Sequence, residues 1–436
     1  MSIARTARQL ALLAVVSASM PPACLSEAPG AVAGSDGATP ETTAPDTSAP
    51  DTTAPEAGTP ETPASPGLVV HEWGTFTSVQ DATGKSHPGL HHEDEELPGW
   101  VYRRDPGPNA YFEILPEEPL QQLETPVVYF HAPEAMDVRV EVDFPEGIIS
   151  QWFPSATTYA PALFALSAIA GGSMRWDVTV DPAIDAADFL PVDPQEIWAP
   201  SRNVRSTPVR YRNAAGTEEL EQFIFYRGLG QFDLPVRVTA PRDDRVVVKN
   251  DSDDDIAALV ILRSTGDGGA VTALGGLAAG ASLTATVPVA IEPWPAYVDK
   301  AHAALKQAIM TTGLYDDEAE AMVDTWTRSW FGNPGIRVLY LVPREWTDEL
   351  LPIRVTPAPS ELVRTLVGRI EVLTPAMEAA TWEHIVALGE APSWEAIEKV
   401  IDALGRFAEP RVRQALARHG EHTGGAWLLD AAHQRP

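Results

Sequence analysis

Cysteine is almost missing from the 436 residues: there is one, Cys24. A single cysteine excludes an intrachain disulfide, a cysteine-rich zinc site and a thiol nucleophile in the rest of the chain. Lysine is nearly as scarce, with Lys85, Lys249, Lys300, Lys306 and Lys399 as its only occurrences, so arginine carries almost all the positive charge. Positive charge is itself in deficit, 31 Lys plus Arg against 61 Asp plus Glu, for a net charge of −30. A field of that sign repels phosphate backbones and anionic lipid, which argues against nucleic acid and against direct binding to a membrane surface. Long apolar runs are lacking too. The longest near the N-terminus, Leu10 to Val16, is far short of the ~20 residues a membrane-crossing helix needs. No G-x-S-x-G, no complete G-x-G-x-x-G and no phosphate-loop Lys-Ser/Thr occurs, which removes the usual sequence support for nucleophilic hydrolysis or nucleotide binding.

What is present begins with an address. Arg5 and Arg8 precede the Leu10–Val16 apolar run, which gives way to small residues and prolines before Cys24. That layout predicts a secretory signal peptide over residues 1–23 and therefore an exported protein. Pro21-Pro22-Ala23-Cys24 resembles a bacterial lipobox in its Ala and Cys, and departs from it in its prolines. Acylation of Cys24 is the expectation, with the periplasm or cell surface as location and the lipid as the only membrane contact. The alternative, ordinary cleavage nearby, leaves an exposed thiol in an oxidising compartment, a liability that acylation removes.

Residues 24–67 read as a disordered acidic stalk rich in Pro and Thr. From Leu25 to Gly67 there is no aromatic, lysine or arginine, and Pro40, Pro45, Pro50, Pro55 and Pro60 recur every five residues, each followed by an acid. Such a stretch cannot bury enough apolar surface to offset the entropy of ordering, and its prolines and like charges extend it. At ~3.1 Å per residue it could hold the rest of the chain about 100 Å from an anchor.

Seven acids and two arginines precede Leu68, so the remaining 369 residues carry −25. That length exceeds what one core commonly accommodates, and two packed subregions are expected. Residues 68–292 read as β-rich. Met136, Val138, Val140, Val142 and Phe144 alternate with charged residues, Met174, Trp176, Val178 and Val180 alternate with Arg175, Asp177 and Thr179, and Leu283, Ala285, Val287 and Val289 alternate with Ser282, Thr284 and Thr286. Phe223 to Tyr226, Val246 to Val248 and Ile256 to Leu262 add short apolar runs. The acids between the last two, Asp251, Asp253 and Asp255, mimic the start of a calcium loop, but Ile256 stands where Gly is required; a polar hairpin turn is the better reading.

Residues 293–436 read as a mainly helical region with one or two strands, packed on the β-rich domain. Ala319, Met322, Val323, Trp326 and Trp330 share a helical face behind Asp316-Asp317-Glu318, which suits a helix N-terminus. Ile336 to Val342 reads as a buried strand. Further helices are expected through Val363, Val367 and Ile370, through Ile397, Val400, Ile401 and Leu404, and through Val412, Ala415 and Leu416, with Thr374 and Ser393 as N-caps. The fold class is therefore α+β: an antiparallel, β-sandwich-like first half followed by a helical C-terminal region.

Four segments, His71 to Ser78 (HEWGTFTS), Glu124 to Phe130 (ETPVVYF), Phe225 to Gly230 (FYRGLG) and Thr356 to Pro375 (TPAPSELVRTLVGRIEVLTP), resemble motifs of an uncharacterised family of exported bacterial proteins. The resemblance implies that Leu68 onward is one evolutionary unit. It carries no activity, substrate or catalytic residue.

The densest set of candidate ligands is His71, His87, His91 and His92, with Glu72 and Glu93 as candidate general bases. Imidazole and carboxylate together suit zinc or another divalent metal. The spacing matches no known zinc motif, since a second histidine of H-E-x-x-H is missing and Pro88-Gly89 keeps His87 and His91 off one helix face. On a regular strand His71 and Glu72 point to opposite sides, unless a bulge, for which Gly74 is a sign, intervenes. The bland reading makes His71 a packed histidine beside Val69 and Trp73, and residues 91–96 a solvated loop. His302 and His384 sit in line with apolar residues and read as core histidines. Two functions are compatible with these features. One is a tethered binding or structural module with an envelope polymer or protein as partner; the other is a metal-dependent hydrolase using the His/Glu-rich segment. No feature fixes an oligomeric state.

Overall fold

The structure, a computed structural model, describes residues 65–90, 97–104, 120–162, 168–213 and 215–433. The signal segment, Cys24, the stalk as far as Ala64, and His91, His92 and Glu93 lie outside the described residues. The chain is α+β, with large, mostly antiparallel sheets and helices concentrated toward the C-terminus.

A ten-stranded sheet organises everything else. From edge to edge it runs Glu292–Pro293, Gly268–Leu274, Leu259–Ser264, Gly335–Leu341 (β4), Pro359–Val372 (β5), Ser65–Gln80 (β1), Gln121–His131 (β2), Ile224–Gly230 (β3), Gly147–Phe153 and Tyr102–Arg103. Its pairings are antiparallel except one: β1 and β5 run parallel, in register from Val69 opposite Glu361 to Gln80 opposite Val372. The four family-like segments thus occupy four consecutive neighbours, β5, β1, β2 and β3, at the centre of the sheet. β1 begins at Ser65, three residues before the expected domain start.

Both faces of this sheet are covered. On one, Val70, Val128, Tyr226, Ile261 and Ile370 share a core with Val140, Trp176 and Val178 of a six-stranded sheet and with Val238, Val246 and Val248 of a three-stranded sheet. On the other, Trp73, Tyr129, Phe225, Leu339 and Val367 pack against two helices, α1 (Trp294–Met310) and α2 (Asp316–Trp326), through Tyr297, Leu305, Met322 and Trp326. Four helices from Pro375 to His433 form a small bundle around Ile385, Ile401, Val412 and Leu428.

Double coverage explains the main departure from the sequence-based expectation. Val363, Val367 and Ile370 lie on β5 and not on a helix. Residues 363–372 are all buried, so the strand shows no polar face and its apolar spacing matches a helix by coincidence. Region 293–436 accordingly supplies three strands, β4, Ile353–Thr356 and β5, two of them central to the large sheet. At Gly368 on β5 only glycine fits, because a Cβ there would lie 2.3 Å from the buried Tyr340 ring on β4.

The other helices appear where expected. Thr374 caps the helix Pro375–Leu388 by accepting from the Met377 amide, and Ser393 caps Trp394–Leu404 by accepting from Ala396. The Asn250–Asp255 turn is not a hairpin: it carries the chain from the three-stranded sheet to the ten-stranded one, tied down by the Asn250 side chain, which donates to Asp254 O at 2.8 Å. Neither histidine expected in the core lies there. His384 is exposed, because the buried stripe of its helix runs through Glu378, Thr381 and Ile385. His302 is half-buried and bonds Asp324 at 3.2 Å between α1 and α2.

Candidate functional site

Alternation along β1 decides where its polar residues go. His71 and Trp73 face the helices, while Val70 and Glu72 face the smaller sheets. On the antiparallel neighbour β2, His131 stands opposite Val69 and Tyr129 opposite His71, which brings His131 to the same face as His71. Their ring centroids are 5.1 Å apart.

The first turn of α2 completes the group with Glu318, whose carboxylate is fully buried between the two imidazoles. His71 Nδ1 donates to Oε2 at 2.7 Å and His131 Nε2 donates to Oε1 at 2.9 Å. Oε2 also accepts from the Tyr315 amide at 2.8 Å, the reciprocal half of a capping arrangement that satisfies an orphan N–H of the helix. Burial pushes the Glu318 carboxyl up, but the hydrogen bonds from His131 and His71 outweigh it and hold the group at about 2. An ionised Glu318 fixes both bonded ring nitrogens as donors. The remaining nitrogen of His71, Nε2, is buried with no hydrogen-bond partner. Tyr315 lies over both rings, 4.5 Å from His71 and 4.8 Å from His131 between centroids, and is itself 44% exposed. The site therefore sits just beneath the surface under one aromatic ring.

Glu72 belongs to a different network on the far side of the sheet. Tyr226 O–H donates to Oε1 at 2.5 Å and Arg364 Nε to Oε2 at 2.5 Å. Arg364 Nη1 reaches on to Asp348 at 2.7 Å. Burial and the neighbouring Glu72 charge drive the Tyr226 phenol well above its ordinary value, so it stays a donor. The bulge suggested by Gly74 exists, between Trp73 and Thr75, but it lies beyond both His71 and Glu72 and leaves them on opposite faces.

His87 is separated from His71 as well. It lies beyond the end of β1, donates its backbone N–H to Val79 O at 3.0 Å and bonds Asp81 through Nε2 at 2.9 Å. Val79 is eight residues along the strand from His71, roughly 26 Å. One ion cannot take both. Asp81, though partly desolvated, is held well below the carboxylate range by His87, Thr83 and Lys85, which makes the pair a loop staple. Sequence reasoning missed His131 and Glu318 as partners of His71. His131 immediately follows the ETPVVYF segment, and Glu318 was legible only as a helix start; the strand register and the docking of α2 unite them.

Comparison with known proteins adds little to this geometry. No protein-family model matches the chain, and no curated protein matches it. Among solved structures it is similar to the Fcho1 mu homology domain of Danio rerio with bound Eps15 peptide, at 6% identity and a TM-score of 0.27, covering 70% of this chain and 97% of that one. It is also similar to the yeast delta-COP-I mu-homology domain complexed with a Dsl1 WxWxV peptide, at 7% identity and a TM-score of 0.24, covering 70% and 96%. Similarity at that level carries no argument about this chain's function.

Proposed function

We propose that the chain is an exported protein, anchored in the envelope through acylated Cys24, whose folded region is a sandwich-like binding module held out on the acidic stalk. Its partner is an envelope polymer or another envelope protein. The observation that carries this reading is the state of Glu72. A hydrolase that uses Glu72, one of the two candidate bases, needs its carboxylate free and within reach of a substrate water. Glu72 is instead fully buried and occupied on both oxygens by Arg364 and Tyr226. The signal layout, the spacer and the net charge support display at a distance from the membrane.

The test is co-sedimentation of the purified full-length protein with isolated cell-wall polymer, alongside crosslinking in intact cells. Saturable sedimentation, or one crosslinked envelope partner, is expected, with no polymer fragments released. Protein that stays in the supernatant and crosslinks to nothing, or that releases fragments in a metal-dependent way, overturns the reading; fragment release would favour the hydrolase.

A further inference from the structure

We infer that His71, His131 and Glu318 form a site for one divalent cation of the zinc class, which pins the start of α2 to β1 and β2. The inference stands on residues that the binding proposal does not use.

Each of the three residues offers one ligand atom, and these atoms lie within 4.8 Å of one another. Bonds of ~2.0–2.1 Å to a shared ion place two ligands up to ~4 Å apart, so side-chain adjustments of under about an ångström suffice. Two imidazoles and a carboxylate are a zinc-type donor set, whereas calcium and magnesium favour oxygen alone.

His71 and His131 lie 60 residues apart in the chain, and Glu318 lies 247 and 187 residues beyond them, so the ligands are brought together only by the assembled fold. His131 is 17% exposed, which opens a route from solvent beside the Tyr315 ring. The other grouping of possible ligands among the described residues, His302, Glu320 and Asp324, is a useful contrast. It is open to solvent, and Lys306 already neutralises Glu320 at 2.7 Å.

The experiment is metal content per chain for the full-length protein, purified without chelator and equilibrated at about micromolar free zinc. One equivalent is expected. His131→Ala and Glu318→Gln should each weaken retention by at least roughly tenfold, while His302→Ala leaves it unchanged. Cobalt(II) loaded into the wild type should shift the ring protons of two histidines, a readout that does not depend on any variant folding. Folded wild-type protein that retains no zinc overturns the inference. So does retention equal to wild type in both variants, or a cobalt form in which no histidine ring is shifted.

Discussion

Replacing Arg364 with methionine is expected to cost about 3–5 kcal/mol, read as a lower urea midpoint with an unchanged slope. Glu72 is fully buried, and among the described residues Arg364 is the cation that pairs with it. Taking the arginine away leaves a carboxylate in an apolar layer, facing Val70 and Tyr226 in the core shared with the smaller sheets. The cost comes from that stranded charge more than from the lost attraction. The triple substitution Glu72→Leu, Tyr226→Phe and Arg364→Met should therefore recover most of the loss, because it removes every member that needs a partner. Asp348, at the outer end of the network, is 45% exposed and can return to water. If the single and triple variants are equally destabilised, the network acts through shape and not through charge.

Acid should weaken the protein through Glu318. Its carboxyl is held at about 2, below the ordinary 4.5, so the folded state binds this proton more weakly than the unfolded chain. The contribution is complete above about pH 4.5 and is lost as pH falls through about 2, a change of roughly 3 kcal/mol by linkage. In chelated protein, the stability difference between wild type and Glu318→Gln should shrink by about that amount between pH 6 and pH 2. A difference that does not vary with pH would show that Glu318 is not ionised in the folded state.

The elements that sequence revealed through a clear period are those with one wet face, whereas β3 and β4 showed only as short apolar runs. Met136–Phe144 and Gly172–Val180 alternate because one side meets solvent or charge, and Trp394–Leu404 announces itself through Ser393 and its stripe of Ile397, Ile401 and Leu404. β5 was illegible for the converse reason. With residues 363–372 buried on both sides, neither a period of two nor one of 3.6 is imposed on it, and Arg364, Arg369 and Glu371 look like a polar helix face when they are buried ion-pair members. The candidate site divides in the same way. The opposite orientation of His71 and Glu72 follows from the pleat alone. Their partners do not, because Glu318 and Arg364 lie 246 and 292 residues further on than Glu72, and only the parallel β1–β5 register and the docking of α2 bring them near.

Reach, location and partner all depend on the first two dozen residues acting as an export and anchoring device. The most direct measurement is the mass of the N-terminal peptide of the native protein recovered from its own cells. A chain that starts at Cys24 and carries acyl groups, found with the membrane fraction, is the predicted result. A chain that still begins with Met1, unacylated and in the cytosol, contradicts it.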